Sequence, residues 1–248
     1  MKISIVTAVY NRERTIGEAL ASVASQTHSD LEHLIVDGAS RDGTLDVVRA
    51  HPDPRVVLVS EPDKGIYDAL NKGIRRAKGD VVGLMHSDDQ FAHTQVLEKV
   101  ALAFADPAID IVYGDLDYVS ASDVTRVVRH WRAGEFTRAR LRQGWMPPHP
   151  TVFARVSVFA DHGLYDTSYR IAADYEAMLR FFGRAGLRSA YIPEVLVKMR
   201  TGGASNRSLK HILLKSGEDL RALRANGVGG VGTLAAKNLS KIPQFFTR

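Results

Sequence analysis

The sequence predicts an α/β fold, with a mostly parallel central sheet flanked by helices. Strand-like apolar segments alternate with helical segments through the first half of the 248-residue chain. This alternation is typical of parallel strands joined by right-handed helical crossovers. Acidic residues follow three of the predicted strands, and ligands of such sheets bind at the carboxyl ends of the strands. We therefore expect one ligand site at one rim of the sheet.

The first half of the chain begins with one strand-helix-strand unit. Apolar runs at residues 2–9 and 31–38 are typical of buried strands, and apolar residues recur at helical spacing within residues 14–26. The alternation then continues. Helices are predicted at residues 44–51, 66–79 and 94–105, and strands at residues 55–61, 80–86 and 109–116.

The second half of the chain is less regular. Two prolines at the start of residues 146–155 favour an extended backbone there, and Pro193 interrupts the strand pattern of residues 189–200. The other predicted elements are a strand at 125–131, a short basic helix or loop at 135–145, a helix at 174–186 stopped by Gly186, an amphipathic helix at 208–227 ending at Gly227, and a glycine-rich hinge before the last segment.

Composition narrows the classes of function. The net charge of +5 favours an anionic partner, which is a nucleotide, an acidic membrane surface or nucleic acid, and the positive charge gathers in the second half. The chain has no apolar run of membrane-spanning length and no signal-peptide pattern, so we expect neither a membrane span nor export by that route. The absence of cysteine excludes disulfides, thiolate catalysis and cysteine-ligated zinc.

Acidic residues at the predicted strand ends carry the strongest chemical signal. Asp37 closes the second strand, and Asp88 with Asp89 follows the apolar run of the fourth. Two adjacent carboxylates repel each other unless a cation, water or a hydrogen-bond donor offsets their charge. Carboxylate oxygens are hard ligands that suit Mg²⁺ or Mn²⁺.

These motifs together resemble the nucleotide-sugar glycosyltransferases of family two, which have the GT-A fold. The likeness covers residues 3–200 and depends on "VDGASRDGT" followed about fifty residues later by "SDD". It implies an inverting, metal-dependent enzyme that moves one sugar from UDP, GDP or dTDP to a hydroxyl acceptor. The implied acceptor is a lipid-linked or polysaccharide intermediate in bacterial cell-surface glycan synthesis. The membrane spans and Gln-x-x-Arg-Trp motif of processive relatives are absent from the sequence.

The resemblance also implies which residues bind the donor. Asp89 matches the usual metal ligand, and Asp88 the residue that holds the ribose or a water ligand of the cation. Simpler alternatives stay open, because Asp37 also suits a turn before Gly38, and Lys64 also suits an ion pair with a neighbouring acid. The implied donor-binding residues are Thr7, Ala8, Tyr10, Asp37, Lys64, Gly65, Asp68, Asn71, Ser87 and Asp88.

Inversion at the anomeric carbon needs a general base, because a sugar hydroxyl is a poor nucleophile at neutral pH. The resemblance implies Asp174 as that base, with Glu176 as the second candidate. His149 matches a histidine near the acceptor or the diphosphate. A helix N-cap is the alternative for Asp174, and simple packing is the alternative for His149.

On this interpretation the chain has three parts. Residues 1–115 form the donor half, residues 116–205 the acceptor and base half of the same domain, and residues 206–248 a basic helical tail. The tail either lies on an anionic membrane surface or packs on the domain. We expect a cytoplasmic protein, peripheral at the inner face of the cell membrane if the tail binds lipid.

Three other functions are alternatives to glycosyl transfer. A sugar-nucleotide pyrophosphorylase would carry a glycine-rich signature after the first strand, where "TAVYNRERT" has no glycine. A non-catalytic nucleotide or glycan binder would not need the acids at positions 37, 88, 89 and 174. Nucleic-acid binding is suggested by charge alone, and we do not expect it.

Overall fold

The computed structural model describes residues 1–183, 186–202 and 209–239. Predictions that fall on residues 184–185, 203–208 and 240–248, which include part of the basic tail, lie outside the described residues. In chain order the elements are β1 (Ile3–Val9), α1 (Ile16–Ala24), β2 (Leu31–Asp37), α2 (Thr44–Ala50), β3 (Val56–Ser60), α3 (Ile66–Arg76), β4 (Val81–Leu84), β5 (Gln90–Phe91), α4 (Val96–Ala103), β6 (Ile111–Val119), β7 (Val127–Trp131), α5 (Arg138–Arg142), a 3-10 turn (His149–Thr151), β8 (Phe153–Arg155), α6 (Val156–His162), α7 (Ala173–Gly183), β9 (Ser189–Arg200), α8 (Leu209–Ala225) and α9 (Val231–Leu239).

The described strands form one sheet in the order β3-β2-β1-β4-β8-β6-β9-β5, with β7 paired to β6. Strands β1 to β4 pair in parallel, which confirms the predicted α/β class. Strand β8 then runs antiparallel to both β4 and β6, so the second half of the sheet is mixed. The carboxyl ends of β1, β2 and β4 therefore meet at one rim, as the sequence predicts.

Helices cover both faces of the parallel strands. Alternate residues of a strand point to opposite faces, and Ile5 and Val6 of β1 accordingly join different core clusters. Ile5 packs in the cluster that holds apolar residues of α1 and α4, whereas Val6 packs in the cluster that holds Leu70 and Ile74 of α3. Each such buried side chain contributes about 1.5–3 kcal/mol through removal of apolar surface from water. This two-sided burial explains the nearly continuous apolar run of β1.

Strand β9 corrects one prediction. The strand continues through Pro193 instead of breaking there. Its register against β6 shifts between Gly114 and Asp115, so that Ile192 pairs with Gly114 and Val195 with Asp115. Such a bulge leaves extra residues unpaired and accommodates a proline that cannot donate a hydrogen bond to the ladder. β9 thereby reaches the rim at Arg200.

The C-terminal helices pack on the domain, which is the second of the two alternatives for the tail. Ala222 and Leu223 of α8 are fully buried. Lys237 of α9 forms a buried ion pair with Asp219 of α8 at 2.7 Å, and its Nζ lies 3.1 Å from the ring centre of Tyr175 on α7. α9 begins at Val231, inside the predicted glycine-rich hinge. In the described part of the chain, no helix is both long and apolar enough to cross a bilayer.

Candidate active site

A cavity of about 640 Å³ opens at the rim of the sheet where β1 and β4 end. Segments that are far apart in the chain meet there: the ends of β1, β4 and β9 and the starts of α3 and α7. The polar residues that line the cavity are Tyr10, Arg12, Asp63, Tyr67, His86, Ser87, Asp88, Asp89, His149, Tyr165, Arg170, Asp174, Arg200 and His211.

Asp89 is the most unusual acid of this cavity. Its side chain is 2% exposed, and Oδ1 accepts the backbone N–H of Arg200 at 3.1 Å. Oδ2 is buried and, within the described part of the chain, has no hydrogen-bond partner. Burial, followed by the neighbouring charge of Asp88, raises the pKa of Asp89 well above its usual value. A buried carboxylate with one bare oxygen lacks the partner that burial normally requires.

This arrangement fits a divalent cation. Mg²⁺ and Mn²⁺ take oxygen ligands, and Mg²⁺ keeps several waters, so the protein needs to supply only one or two carboxylates beside the phosphates of a substrate. The bare Oδ2 of Asp89 and the adjacent Asp88 meet that need. Residues 1–183, 186–202 and 209–239 contain no group of three or more His, Cys, Asp or Glu side chains that could hold a metal ion.

Arg200 holds the acidic pair in place, and sequence reasoning did not single it out. Its Nε donates to the carbonyl oxygen of Asp88 at 3.1 Å, and its Nη1 donates to the carbonyl oxygen of Ala121 at 2.8 Å. The guanidinium also pairs with Glu18 of α1. Arg200 ends β9 and contacts Asp88 across 112 positions of the chain, and nothing in the local sequence indicates that contact.

Asp174 lies in the first turn of α7 and lines the same cavity. Its Oδ1 accepts the hydroxyl of Tyr67 at 3.2 Å, and its Oδ2 lies 3.2 Å from Nδ1 of His149. Nε2 of His149 lies 2.9 Å from Nε2 of His86, which lies two residues after the end of β4. If Nδ1–H of His149 faces the carboxylate, Nε2 of a neutral His149 accepts from His86. A hydrogen-bonded chain therefore links Asp174 through His149 to His86, two positions before Asp88.

The electrostatics of this chain favour neutral imidazoles and an ionised carboxylate. Burial, with a smaller effect of His149, lowers the pKa of His86 to about 3. Burial also lowers the pKa of His149, against the opposing charge of Asp174. For Asp174, burial raises the pKa, but His149 and the backbone N–H of Tyr175 outweigh it and the net pKa lies below its usual value. Asp174 is thus a carboxylate at neutral pH and can accept a proton.

Asp37 does not line the cavity, although it ends β2 at the same rim. Oδ2 accepts the backbone N–H of Ser40 at 3.0 Å and the hydroxyl of Ser60 at 2.7 Å. Oδ1 is buried and finds no hydrogen-bond partner among the described residues. A Cβ at Gly38 would collide with the carboxylate of Asp63, so the side chain of Asp63 would have to shift if Gly38 were replaced.

Five of the ten predicted donor residues line the cavity, and so does Asp89, the predicted metal ligand. Thr7, Lys64, Asp68 and Asn71, like Asp37, do not line it. Thr7 is buried and bonds to His33 at 2.9 Å. Both ends of the Asn71 amide bond to the backbone of Tyr165, at 2.8 and 3.0 Å. The five donor residues that do line the cavity are Ala8, Tyr10, Gly65, Ser87 and Asp88.

The loop before α3 differs from the expected donor contact. Asp68 accepts the backbone N–H of Lys64 at 3.0 Å and pairs with Lys72 at 3.6 Å, so it stabilises the loop and not a ligand. Lys64 is exposed and does not line the cavity. The alternative ion pair between Lys64 and Glu61 is not found either, because Glu61 pairs with Lys72 at 3.2 Å.

Glu176, the second candidate base, does not reach the cavity. Arg180 binds its carboxylate at 2.9 Å, one turn further along α7, and the pair is nearly buried. The helical spacing turns position 176 away from the face that carries Asp174. His149 and Asp174 remain as the predicted catalytic residues that the structure brings together. Tyr67 and His86, which complete the chain, were not predicted, because their contacts with Asp174 and His149 join residues far apart in the sequence.

Comparison with known proteins agrees with this geometry. Residues 4–163 match the model of Glycosyl transferase family 2. The chain is 30% identical over 217 residues to the PGL/p-HBAD biosynthesis glycosyltransferase of Mycobacterium bovis (strain BCG / Pasteur 1173P2), which covers 86% of this chain and 82% of that protein.

Solved structures show the same fold. The crystal structure of S. aureus TarS 1-349 in complex with UDP-GlcNAc has a TM-score of 0.67 at 18% identity and covers 92% of this chain and 66% of that one. This chain spans 39% of a longer TarS structure. The mannosyltransferase PcManGT from Pyrobaculum calidifontis, in complex with GDP-Man and Mn²⁺, has a TM-score of 0.63 at 20% identity and covers 97% of this chain and 75% of that one. The chain therefore belongs to glycosyl transferase family 2 and is a glycosyltransferase.

Proposed function

We propose that this enzyme transfers one glycosyl residue, with inversion, from a nucleoside-diphosphate sugar to a hydroxyl acceptor, and that it needs Mg²⁺ or Mn²⁺. One observation carries the proposal: a single cavity contains both the bare carboxylate oxygen of Asp89 and the ionised carboxylate of Asp174. The first suits a cation-bridged diphosphate, and the second suits a general base. UDP-GlcNAc and GDP-Man in the structural neighbours support a donor of this class.

The residues of this chain divide the work as follows. The donor lies against Ala8, Tyr10 and Gly65, with its diphosphate beside the acidic pair. A divalent cation, when bound by Asp89 with Asp88 nearby, would neutralise the charge that develops on the leaving diphosphate. Arg200 holds that pair in place, because its Nε donates to the carbonyl oxygen of Asp88 and its backbone N–H donates to Oδ1 of Asp89.

Asp174 acts at the other end of the reaction. Its carboxylate accepts the proton of the acceptor hydroxyl while the oxygen of that hydroxyl bonds to the anomeric carbon and the bond to the diphosphate breaks. Tyr67 and His149 each donate to one oxygen of Asp174 and so fix its orientation. The first turn of α7 also favours a negative charge at this position. A base on the face opposite the diphosphate gives an inverted product.

We also propose the division of the chain into a donor half (residues 1–115), an acceptor and base half (116–205) and a C-terminal part (206–248). Asp37, Asp88 and Asp89 belong to the first and Asp174 to the second. The third supports α7 through α8, whose buried residues face the domain. We further propose that the enzyme acts in the synthesis of a cell-surface glycan. The Mycobacterium bovis relative, named for PGL/p-HBAD biosynthesis, supports a role in glycan biosynthesis.

The same C-terminal part carries our proposal of peripheral membrane binding in the cytoplasm. Ile212, Leu213 and Leu214 of α8 are 47%, 74% and 40% exposed, although the rest of the helix packs on the domain. Exposed apolar side chains on a basic helix suit an anionic membrane surface. We expect the full chain to float with anionic vesicles and Leu213→Asp to float less. Equal flotation of both proteins, or none by either, would contradict this.

Thermal unfolding with a panel of nucleotide sugars tests the main proposal. We expect one donor to raise the melting temperature with Mn²⁺ and much less with EDTA, because only the folded state binds it. Transfer from that donor should give a product whose anomeric configuration is inverted, measured by NMR. A retained configuration, or full activity in EDTA, would overturn the mechanism.

A further inference from the structure

A second cavity of about 310 Å³ adjoins the first. The two cavities share His149, Asp174, Met199 and Arg200. Asp174 is therefore accessible from both sides of the wall that it helps to form. A base in this position suits a reaction in which one substrate fills each cavity.

The walls of the second cavity are partly apolar and aromatic. Tyr118 and Trp131 stack with ring centres 6.4 Å apart and planes 3° from parallel. Arg129 lies over Tyr118, with its guanidinium carbon 4.6 Å from the ring centre. Leu116, Val128, Met146 and Met199 complete the apolar surface. Such a surface suits a sugar ring or an apolar group of a ligand.

The charges of this cavity are unequal. Lys237 is balanced by Asp219 at 2.7 Å, and Arg200 is balanced by Glu18. Lys215 of α8 also lines the cavity and is half-buried. Among the described residues, no carboxylate lies within ion-pair distance of Lys215. A partly buried ammonium group that makes no ion-pair contact loses hydration that an anionic ligand would replace.

The positive charge of Lys215 acts on the catalytic residues. Lys215, His149 and Asp174 line the same cavity, and the charge of Lys215 contributes to the lowered pKa of the other two. An anion bound by Lys215 would therefore lie near the carboxylate that receives the proton. Shape, charge and the shared base all point to one kind of ligand for this cavity.

We propose that the second cavity binds the acceptor and that Lys215 pairs with an anionic group on it. The acceptor is thus a hydroxyl compound with a carboxylate or phosphate beside a ring or apolar body. This inference rests on the proposed function, because it assigns the cavity to the second substrate of the same reaction.

Three phenyl glycosides of similar size test the inference: phenyl β-D-glucuronide, phenyl β-D-glucoside and the 6-phosphate of that glucoside. Each is titrated into the full-length protein by calorimetry, with Mn²⁺ and the nucleoside diphosphate of the donor identified by thermal unfolding, so that the first cavity is filled. We expect an anionic probe to bind roughly tenfold more tightly than the neutral glucoside, as for a hydrogen bond to a charged group. Comparison of carboxylate with phosphate identifies the preferred anion.

Substitutions at Lys215 locate the effect. Lys215→Met should abolish the preference for the anionic probe, and Lys215→Arg should keep most of it. Lys78→Met is the matched control, because Lys78 is exposed next to the start of β4, at the opposite end of that strand from the cavities. The inference is overturned if the unsubstituted protein binds the anionic and neutral probes with equal affinity, or if Lys78→Met changes the preference as much as Lys215→Met does. It is also overturned if the nucleotide displaces the probes. Failure of the proposed function would be seen separately, as no donor binding in the thermal panel.

Discussion

The bare Oδ2 of Asp89 leads to a prediction that separates metal binding from folding. Without metal, Asp89→Asn should unfold at the same temperature as the original protein or higher, because it removes a buried charge that the protein alone does not balance. With Mn²⁺, only the original protein should gain stability, as measured by thermal unfolding. Glu98→Gln, an exposed acid of α4, serves as the control. A Mn²⁺ shift that survives in Asp89→Asn would exclude this residue as the ligand.

Asp174→Asn tests the base. The amide cannot accept the proton, so kcat should fall by roughly 10²–10⁴-fold, while the affinity for donor stays the same. His149→Gln should lose less, since His149 only orients Asp174 through a 3.2 Å contact. Initial rates and donor titrations measure both quantities. If Asp174→Asn loses donor affinity and keeps kcat, Asp174 binds the donor and is not the base.

The sequence predicts the positions of some individual site residues but not of others. Asp88 and Asp89 follow an apolar strand, and that local pattern predicts their place at the rim. Glu176 and Asp174 cannot be separated in this way, because the choice depends on which face of α7 packs inward and on the Arg180 ion pair. His86 lies two positions before Asp88 in the sequence, yet its contact with His149 spans sixty-three positions.

The element that most directly supports the base is α8. Its Glu218 is buried and accepts the backbone N–H groups of Arg170, Ile171 and Ala172 at 2.8, 2.9 and 2.9 Å. These residues lead directly into α7, where Asp174 occupies the first turn. A single carboxylate therefore satisfies the donors at a helix start that otherwise lack partners.

Replacement of Glu218 tests this support. Glu218→Ala leaves three backbone donors without their acceptor, which costs about 1–3 kcal/mol for a buried group. We expect a lower melting temperature and a kcat reduced roughly tenfold, with unchanged donor KM, because a displaced Asp174 loses part of its contribution to proton transfer. Glu218→Gln keeps one acceptor oxygen and should recover some of both. A fall in stability with kcat preserved would mean that Glu218 has no part in positioning the base.

Elements differ in how far the sequence determines them. Apolar period and flanking glycine or proline are enough for β1 to β4 and for α7, because those signals are local. β9 was predicted to break at Pro193, but the bulge against β6 absorbs the proline, and only the partner strand reveals that. The sequence does not decide whether the tail lies on a membrane surface or packs on the domain. In the structure, some apolar side chains of α8 pack on the domain and others are exposed to solvent.

For the molecule as a whole, buried histidines predict a loss of stability in acid. His33, His86 and His149 all have a pKa below the usual 6.5 in the folded protein, chiefly because of burial. The unfolded chain therefore binds protons that the folded chain does not as pH falls below 6.5. Their contribution to stability is complete above that pH and decreases below it, by up to about 1.4 kcal/mol per pH unit for each histidine.

Urea unfolding at pH 7.5, 6 and 5 measures this slope. His33 is the best single test, since it lies in the sheet and its pKa of about 3 results mainly from burial. His33→Gln should lower stability at pH 7.5 and flatten the decrease between pH 6 and 5. The same slope in both proteins would show that His33 does not titrate on unfolding.

The whole arrangement could not be read from sequence alone, although its class could. The family match ends at residue 163, before α7 and α8. The parallel half of the sheet follows from alternating periods, but the meeting of β9 with β4, and of α8 with α7, results from long-range packing.

Arg200 has a further consequence for how acceptor choice can change. Because this residue borders both cavities and bonds to both acids of the pair, substitution there would disturb the diphosphate end as well as the acceptor end. Val128, Arg129 and Trp131 of β7 border the second cavity and not the first. Substitutions in β7 can therefore alter the proposed acceptor cavity and leave the acidic pair unchanged, whereas substitution of Arg200 would alter both.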